Sequence, residues 1–212
     1  MSKIIVLMGA PGAGKGTQSR LLEERRGIPQ ISTGDMFREM KSSDTPLARE
    51  VQAIMKSGKL ISDELTFQIV KDRTARETGS YILDGFPRTA TQAEMLESLA
   101  REQGKTIQAI EVDIPKDELM KRLTGRRSCS VCGEIYNIYS KPPKEFNVCD
   151  FHPDTTLTHR ADDNEESVST RLATYEVQTE PLLNYYERTR RLEKVSGAGD
   201  LESIYTEIDR LI

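Results

Sequence analysis

The sequence is short of the residues that most hydrolytic, redox and membrane functions need. It has two histidines, both within residues 126–163, so no Ser–His–Asp relay can be argued and neither histidine reads as a general base. Three cysteines are too few for a disulfide framework, and Cys129 does not read as a nucleophile. There is no basic excess: 30 Lys and Arg stand against 34 Asp and Glu, net charge −4, which argues against general electrostatic binding of nucleic acid. A local basic pocket remains open. The longest apolar run is Ile4–Met8, far below the roughly 20 residues that span a bilayer. It is also short for a signal-peptide core, and no cleavage pattern follows, so the expected location is the cytosol. Internal repeats and low-complexity tracts are missing too.

What is present is a polar, ordered composition, 36% hydrophobic and 30% charged over 212 residues. That length suits one α/β domain with insertions, able to bury roughly 70% of its unfolded surface. The segment Lys3–Met8 is a continuous, β-branched apolar run, as in a parallel strand covered on both faces. A glycine-dense stretch follows from Gly9 to Gly16, and then a helical pattern over 17–26 with Leu21 and Leu22 inward. Further strand-like runs are 81–83, 107–114 and, more weakly, 192–195. Helical faces lie between them: Leu65, Ile69 and Val70; Ala93, Leu96, Leu99 and Ala100; and Leu201, Ile204, Ile208 and Leu211, the last capped by Asp200. Strands alternating with helices predict βαβ units and a parallel sheet. Residues 33–61 show helical patterns without an obvious strand. Residues 126–163 have the composition of turns and short antiparallel strands. Both read as insertions standing out from the sheet.

The chemistry concentrates at the first turn. Gly9-Ala-Pro-Gly-Ala-Gly-Lys-Gly-Thr17 joins strand to helix, where glycines let successive N–H groups face one concave point and the helix N-terminus adds its positive end. Lys15 can reach the outer phosphates of a nucleoside triphosphate. The hydroxyl that usually follows the lysine is displaced by Gly16 to Thr17, which can still serve Mg²⁺ directly or through water. Asp84, closing the run Leu83-Asp84-Gly85, is placed to hold Mg²⁺ waters at the sheet's carboxyl edge. Separately, Cys129-x₂-Cys132 and Cys149-x₂-His152 form two knuckles suited to a closed, four-ligand structural Zn²⁺ site. Asp150 and Asp154 are alternatives for the fourth ligand, and His159 falls outside the spacing.

The segments GAPGAGKGTQ (9–18), ISTGDMFR (31–38), GKLISDEL (58–65), LDGFPRTATQAE (83–94), LTGRR (123–127) and HRADDNEESVSTRL (159–172) together resemble the adenylate kinase family. The resemblance implies reversible transfer of the terminal phosphoryl of ATP to AMP, giving two ADP, with Mg²⁺. It implies a P-loop NTPase-type parallel five-stranded sheet flanked by helices, with core 1–31, 62–125 and 164–212. An AMP-closing helical insertion then occupies 32–61 and a mobile, zinc-binding lid 126–163. By the same resemblance ATP meets Gly12, Ala13, Gly14, Lys15, Gly16, Thr17, Arg122, Arg126, Ile135, Tyr136 and Gly199. AMP meets Thr33, Arg38, Lys59, Leu60, Ile61, Gly85, Phe86, Pro87, Arg88, Gln92, Arg160 and Arg171, while Asp162 and Asp163 hold arginines as the lid closes. Lys15, Asp84, Arg88, Arg126, Arg160 and Arg171 carry catalysis; Arg127 reads as a lid charge only. Some members carry a three-cysteine lid with Cys or Asp as fourth ligand, so His152 is a departure. The implied partners are ATP, AMP and ADP, with no nucleic acid or membrane, and the implied state is a monomer serving adenine nucleotide homeostasis and salvage. A kinase for UMP, CMP or GMP, and a non-catalytic nucleotide-binding module, are the competing readings. The many arginines argue against the second. Gln92 and Thr33, which could pair with adenine, argue against the first.

Overall fold

A computed structural model describes residues 2–40 and 45–212. Five parallel strands form the central sheet: β1 (Lys3–Met8), β2 (Gln30–Ser32), β3 (Tyr81–Asp84), β4 (Thr106–Asp113) and, last in the chain, β9 (Leu192–Ser196). Their spatial order is β2-β3-β1-β4-β9. Strand β1 lies in the middle, with Val6 beside Leu83 on one side and Ala109 on the other. Its apolar run is explained by that position. Ile4, Val6 and Met8 point into one core layer with Tyr81, Leu83, Leu96 and Tyr186. Ile5 and Leu7 point into the other with Leu22, Ile82, Ile110 and Ile208. A strand buried on both faces has no polar positions to alternate.

Helices cover both faces. The core ones are α1 (Lys15–Arg26), α4 (Asp63–Thr74), α5 (Ala90–Glu102), α6 (Lys116–Thr124), α7 (Glu165–Thr174), α8 (Pro181–Arg188) and α9 (Leu201–Leu211). A π-helical turn, Tyr175–Thr179, joins α7 to α8. Helix α1 starts two residues earlier than the sequence pattern gives, because its first turn belongs to the glycine loop, with Gly14 in a left-handed conformation as N-cap. Asp200 caps α9 as expected, accepting from the Glu202 and Ser203 backbone N–H groups. Leu201 is 39% exposed, so it does not share that helix's buried face; Tyr205 does. Strand β2 is invisible to periodicity. It is three residues long and runs directly into α2 (Thr33–Glu39), with Ser32 capping that helix at Asp35 N–H.

Two smaller apolar clusters lie outside the sheet layers. Phe37, Val51 and Ile61 tie α2 to α3 (Pro46–Lys56) and α4. Residues 126–163 hold two antiparallel pairs, β5 (Arg126–Ser128) with β6 (Ile135–Asn137) and β7 (Val148–Cys149) with β8 (His152–Thr156). Their apolar cluster is only Cys129, Tyr136, Cys149 and Leu157. Among the described residues, no helix is long and apolar enough to cross a membrane.

Candidate active site

The loop between β1 and α1 sits at the carboxyl edge of the sheet. At Gly9, φ is +132°, and a Cβ would lie 2.4 Å from the Val112 carbonyl oxygen, so only glycine lets the loop leave the strand this close to β4. Lys15 Nζ donates to the Gly9 and Ala10 carbonyls at 2.8 and 2.9 Å, which folds the side chain back over the loop. Beneath the loop, the Asp84 carboxylate lies 3.2 Å from where a Gly16 Cβ would stand, so a side chain at 16 would press on that carboxylate. Among the described residues no hydrogen bond reaches the Asp84 carboxylate, which leaves its oxygens free for a hydrated cation.

Above this edge opens a cleft of about 540 Å³. Its walls carry Lys15, Arg20, Arg38, Arg88, Arg122, Arg126, Lys141, Arg160 and Arg171, against two carboxylates, Asp35 and Asp84. The cations come from the loop helix, α2, the β3–α5 turn, α6, the lid and α7. An acidic chain thus concentrates positive charge at one place. That concentration is unfavourable as it stands. Burial pulls Lys15 down to about 8, and neighbouring Arg88, Arg171 and Arg126 add to it, while Asp84 partly offsets them. Burial, with Arg126 and Arg38, lowers Arg160 to about 9. Burial lowers Arg88 and Arg171 as well. A guanidinium does not lose its proton in this range. The crowding therefore stands as a charge cluster that an incoming polyanion relieves. For Lys15 the sign can be measured: it is largely neutral at pH 8.5, and phosphates raise it. ATP binding at pH 8.5 should take up roughly three-quarters of a proton, and at pH 7 roughly a tenth, from this group. Calorimetry in buffers of differing ionisation enthalpy reads this directly.

Arg88 is anchored for such a ligand. Its Nε donates to the Gly85 carbonyl at 2.7 Å, its backbone N–H donates to Gln92 Oε1 at 2.8 Å, and Thr179 Oγ1 donates to its carbonyl. Gly85 has φ +84°, and a Cβ there would lie 2.7 Å from the Arg88 guanidinium and 2.8 Å from Thr33 Oγ1. Arg126 and Arg171 share one carboxylate, Asp163, which is fully buried. Arg126 donates to it from Nε and Nη2 at 2.8 and 2.6 Å, and Arg171 Nη1 at 3.0 Å, while Asp162 pairs with Arg171 at 2.9 Å. Burial pushes Asp163 upward, but the hydrogen bonds and charge of Arg126, with Arg171 and Arg160, hold it below the ordinary carboxylate range. Arg122 is held by Glu118 at 3.0 Å beside the Gly197 carbonyl, and Gly199, Ile135 and Tyr136 line the same end of the cleft.

A second pocket of about 80 Å³ adjoins the cleft and is lined by Thr33, Arg38, Lys59, Leu60, Ile61, Gly85, Arg88, Gln92 and Arg171. This brings together most of the proposed acceptor set; Pro87 and Arg160 line the larger cleft instead. Phe86 faces elsewhere: its ring is in the core against Phe67, so only its backbone is near the site. Gln92 is buried, and Asp63 receives its Nε2 at 2.8 Å and the Thr89 hydroxyl at 3.0 Å. One amide hydrogen and one lone pair remain to meet a base. Arg38 is paired with Asp35 at 2.5 Å. Asp35 and Asp63 lie inside the quoted segments but hold other side chains, and Thr179 holds a backbone carbonyl, so ligand chemistry marks out none of the three. Arg127 donates to the Thr124 and Arg126 carbonyls, a backbone-capping role.

The lid brings Cys129, Cys132, Cys149 and His152 together, with ligand atoms all within 4.8 Å of one another, and the cysteines are free thiols. Cys132 Sγ is 3.8 Å from Cys149 Sγ, and His152 Nδ1 is 3.7 and 3.9 Å from the sulfurs of Cys149 and Cys129. A tetrahedral ion with Zn–S bonds of about 2.3 Å and Zn–N bonds of about 2.0 Å has edges of roughly 3.8 Å (S–S) and 3.5 Å (S–N), so the set fits a four-coordinate metal. Of the three alternatives for the fourth ligand, His152 is the one that joins the cluster. Asp150 instead accepts from the Lys144 N–H, Asp154 is exposed outside the cluster, and His159, not one of the three, is exposed outside it as well. The two glycines that flank the insertions differ in setting: Gly34 is inside α2, and Gly125 ends α6 against the Tyr139 ring.

Residues 7–191 match the family model described as adenylate kinase. The chain is 47% identical to the adenylate kinase of Bacillus subtilis strain 168 over 211 residues, 98% of this chain and 97% of that one. It is 45% identical to the adenylate kinase of Thermodesulfovibrio yellowstonii over 207 residues, 96% of each. A third relative, from Nitrosococcus oceani, is 44% identical over 210 residues, covering 98% of this chain and 97% of its own.

Proposed function

Since this chain belongs to the adenylate kinase family, we propose that the two adjoining pockets hold its two nucleotides and that the cations between them perform the transfer. The enzyme moves the terminal phosphoryl of ATP to AMP, reversibly, giving two ADP. In our reading the larger cleft takes ATP, with its phosphates on Gly12–Thr17 and Lys15 and its base between Arg122, Gly199 and the Ile135–Tyr136 edge. The smaller pocket takes AMP, with Thr33 and Gln92 toward the base, Lys59–Ile61 beside it, Pro87 at the turn and Arg38 and Arg88 on the phosphate. Arg126, Arg160 and Arg171 meet the phosphoryl in flight. Thr17 and Asp84 are the residues that would hold Mg²⁺ arriving with ATP, which supplies charge neutralisation. The observation that carries this is the cluster of destabilised cations where the pockets meet. In-line phosphoryl transfer asks for positioning and charge neutralisation rather than a base. Closing the insertion 32–61 and the lid 126–163 would exclude water, which otherwise competes as acceptor.

We further propose cytosolic residence and action as a monomer, since one chain supplies both pockets. In the lid, Zn²⁺ is the metal that three thiolates and an imidazole suit best, and its place away from the cleft makes it structural. Chelator removal should lower the melting temperature and raise hydrogen exchange across 126–163, with a smaller effect on the chemical step. Elemental analysis finding no metal in gently purified protein would refute the zinc assignment. The activity itself is tested by comparing AMP, UMP, CMP and GMP as acceptors in one ADP-production assay. AMP should win by orders of magnitude; a preference for another acceptor would move the chain to that kinase.

A further inference from the structure

The lid knuckle makes a contact that none of the roles above accounts for. Arg20, on α1 and five residues beyond Lys15, donates from Nη1 to the Gly133 carbonyl at 2.6 Å. Gly133 belongs to the turn that carries the first metal-ligand pair. Its N–H closes on the Cys129 carbonyl at 3.0 Å, and the Cys129 N–H on the Glu134 carbonyl at 2.9 Å. Gly133 has φ +70°. Among the described residues, the other hydrogen bonds that leave the lid are at its base: Asn137 to the Arg122 carbonyl, Ile138 to Gly125, Arg127 to Thr124, Asn164 to the Ala161 carbonyl, and Arg171 to Asp162 and Asp163. Arg20 alone grips the far end. Two and three residues past Gly133 stand Ile135 and Tyr136, which line the cleft; Tyr136 Oη lies 3.6 Å from Cys149 Sγ.

We propose that Arg20 is a positioning residue that latches the lid's metal knuckle to the phosphate-loop helix through the Gly133 carbonyl. Tight nucleotide binding then depends on a formed knuckle. The carbonyl is in place only when the Cys129–Gly133 turn is fixed, and the lid has little apolar substance besides the metal cluster to fix it. Once docked, the latch holds the Ile135–Tyr136 edge over ATP. Arg20 lines the larger cleft and not the smaller pocket, so it acts on closure over ATP and not on the acceptor pocket. A charged donor to a carbonyl supports an effect of about tenfold.

The test is calorimetric binding of diadenosine pentaphosphate, with AMP alone as control, to zinc-loaded and chelator-stripped protein. Loaded Arg20→Met should bind the two-headed ligand about tenfold more weakly than wild type and AMP equally well, with Arg20→Lys between. Stripping should cost wild type about tenfold more affinity than it costs Arg20→Met, because the variant has already lost the coupling. Wild-type affinity in loaded Arg20→Met, or equal losses on stripping, would overturn the latch. Melting curves establish that the variants fold, and Arg20→Lys carries the comparison by itself if Arg20→Met does not. The proposal rests on the phosphotransfer reading. Turnover of ADP by loaded wild type tests that reading separately, so failure of the latch and failure of the activity are distinguishable.

Discussion

Replacing Arg88 with alanine should lower kcat by roughly 10³-fold while leaving the melting temperature unchanged or slightly raised. The two halves of this prediction come from one fact. Arg88 sits half-buried among Lys15, Arg38 and Arg171, with desolvation the largest force against its charge and Asp84 only partly compensating. Without a polyanion to face, that charge is a cost to the fold, so its removal does not weaken the protein much; the lost hydrogen bond from Nε to Gly85 is worth about 1 kcal/mol. In the transition state the same charge faces the moving phosphoryl in a dry site. There a preorganised guanidinium is worth about 10³-fold or more. Arg88→Lys should not restore activity, because an ammonium cannot bond to Gly85 and to phosphate oxygens at once in the planar fork geometry. Steady-state kinetics beside a thermal melt check both halves. A kcat within tenfold of wild type would remove Arg88 from the chemistry.

Asp163→Asn should show the opposite pattern, with stability hit hardest. The carboxylate is fully buried and is the shared partner of Arg126 and Arg171. Neutralising it leaves two nearby guanidinium groups without their counter-charge. Breaking a buried pair in this way costs roughly 3–5 kcal/mol. At about 2–4 °C per kcal/mol for a chain of this size, the melting temperature should fall by roughly 6–20 °C. The pH dependence has a definite sign. The carboxyl is held below its ordinary value, so its contribution is present above the unfolded pKa of about 3.9 and is lost only as pH falls through the lower folded value. The gap between wild type and Asp163→Asn should therefore be constant from pH 5 to 7 and close below pH 4. ATP KM should rise as well, since Arg126 loses its orientation. Equal melting temperatures at pH 7 would show that Arg126 and Arg171 do not depend on Asp163.

Much of this architecture is legible from residue order. The run Ile4–Met8 declares a doubly buried strand because both of its faces need apolar side chains. The loop at Gly9–Thr17 and the knuckle spacing declare themselves because phosphate and metal ligation each fix residue types at short, rigid intervals. Strand β2 is hidden, since three residues cannot show a period and Gln30 is polar. Leu201 misleads for a related reason: it stands at the first turn of α9, where the chain is still leaving the cleft edge, and the core face begins at Ile204. The supporting partners are hidden more deeply. Asp63 behind Gln92, Thr179 behind Arg88 and Arg20 beneath Gly133 lie 29, 91 and 113 residues from what they hold. No local pattern joins residues so far apart; only the folded chain does.

The central claim, that scattered cations gathered at the junction of two pockets are the catalyst, is tested most directly by a crystal structure with diadenosine pentaphosphate bound. The account predicts the adenosines in the two pockets, and Lys15, Arg88, Arg126, Arg160 and Arg171 within hydrogen-bonding distance of the phosphate chain. A phosphate chain lying away from these side chains, with no cation of the acceptor pocket touching it, would contradict the account.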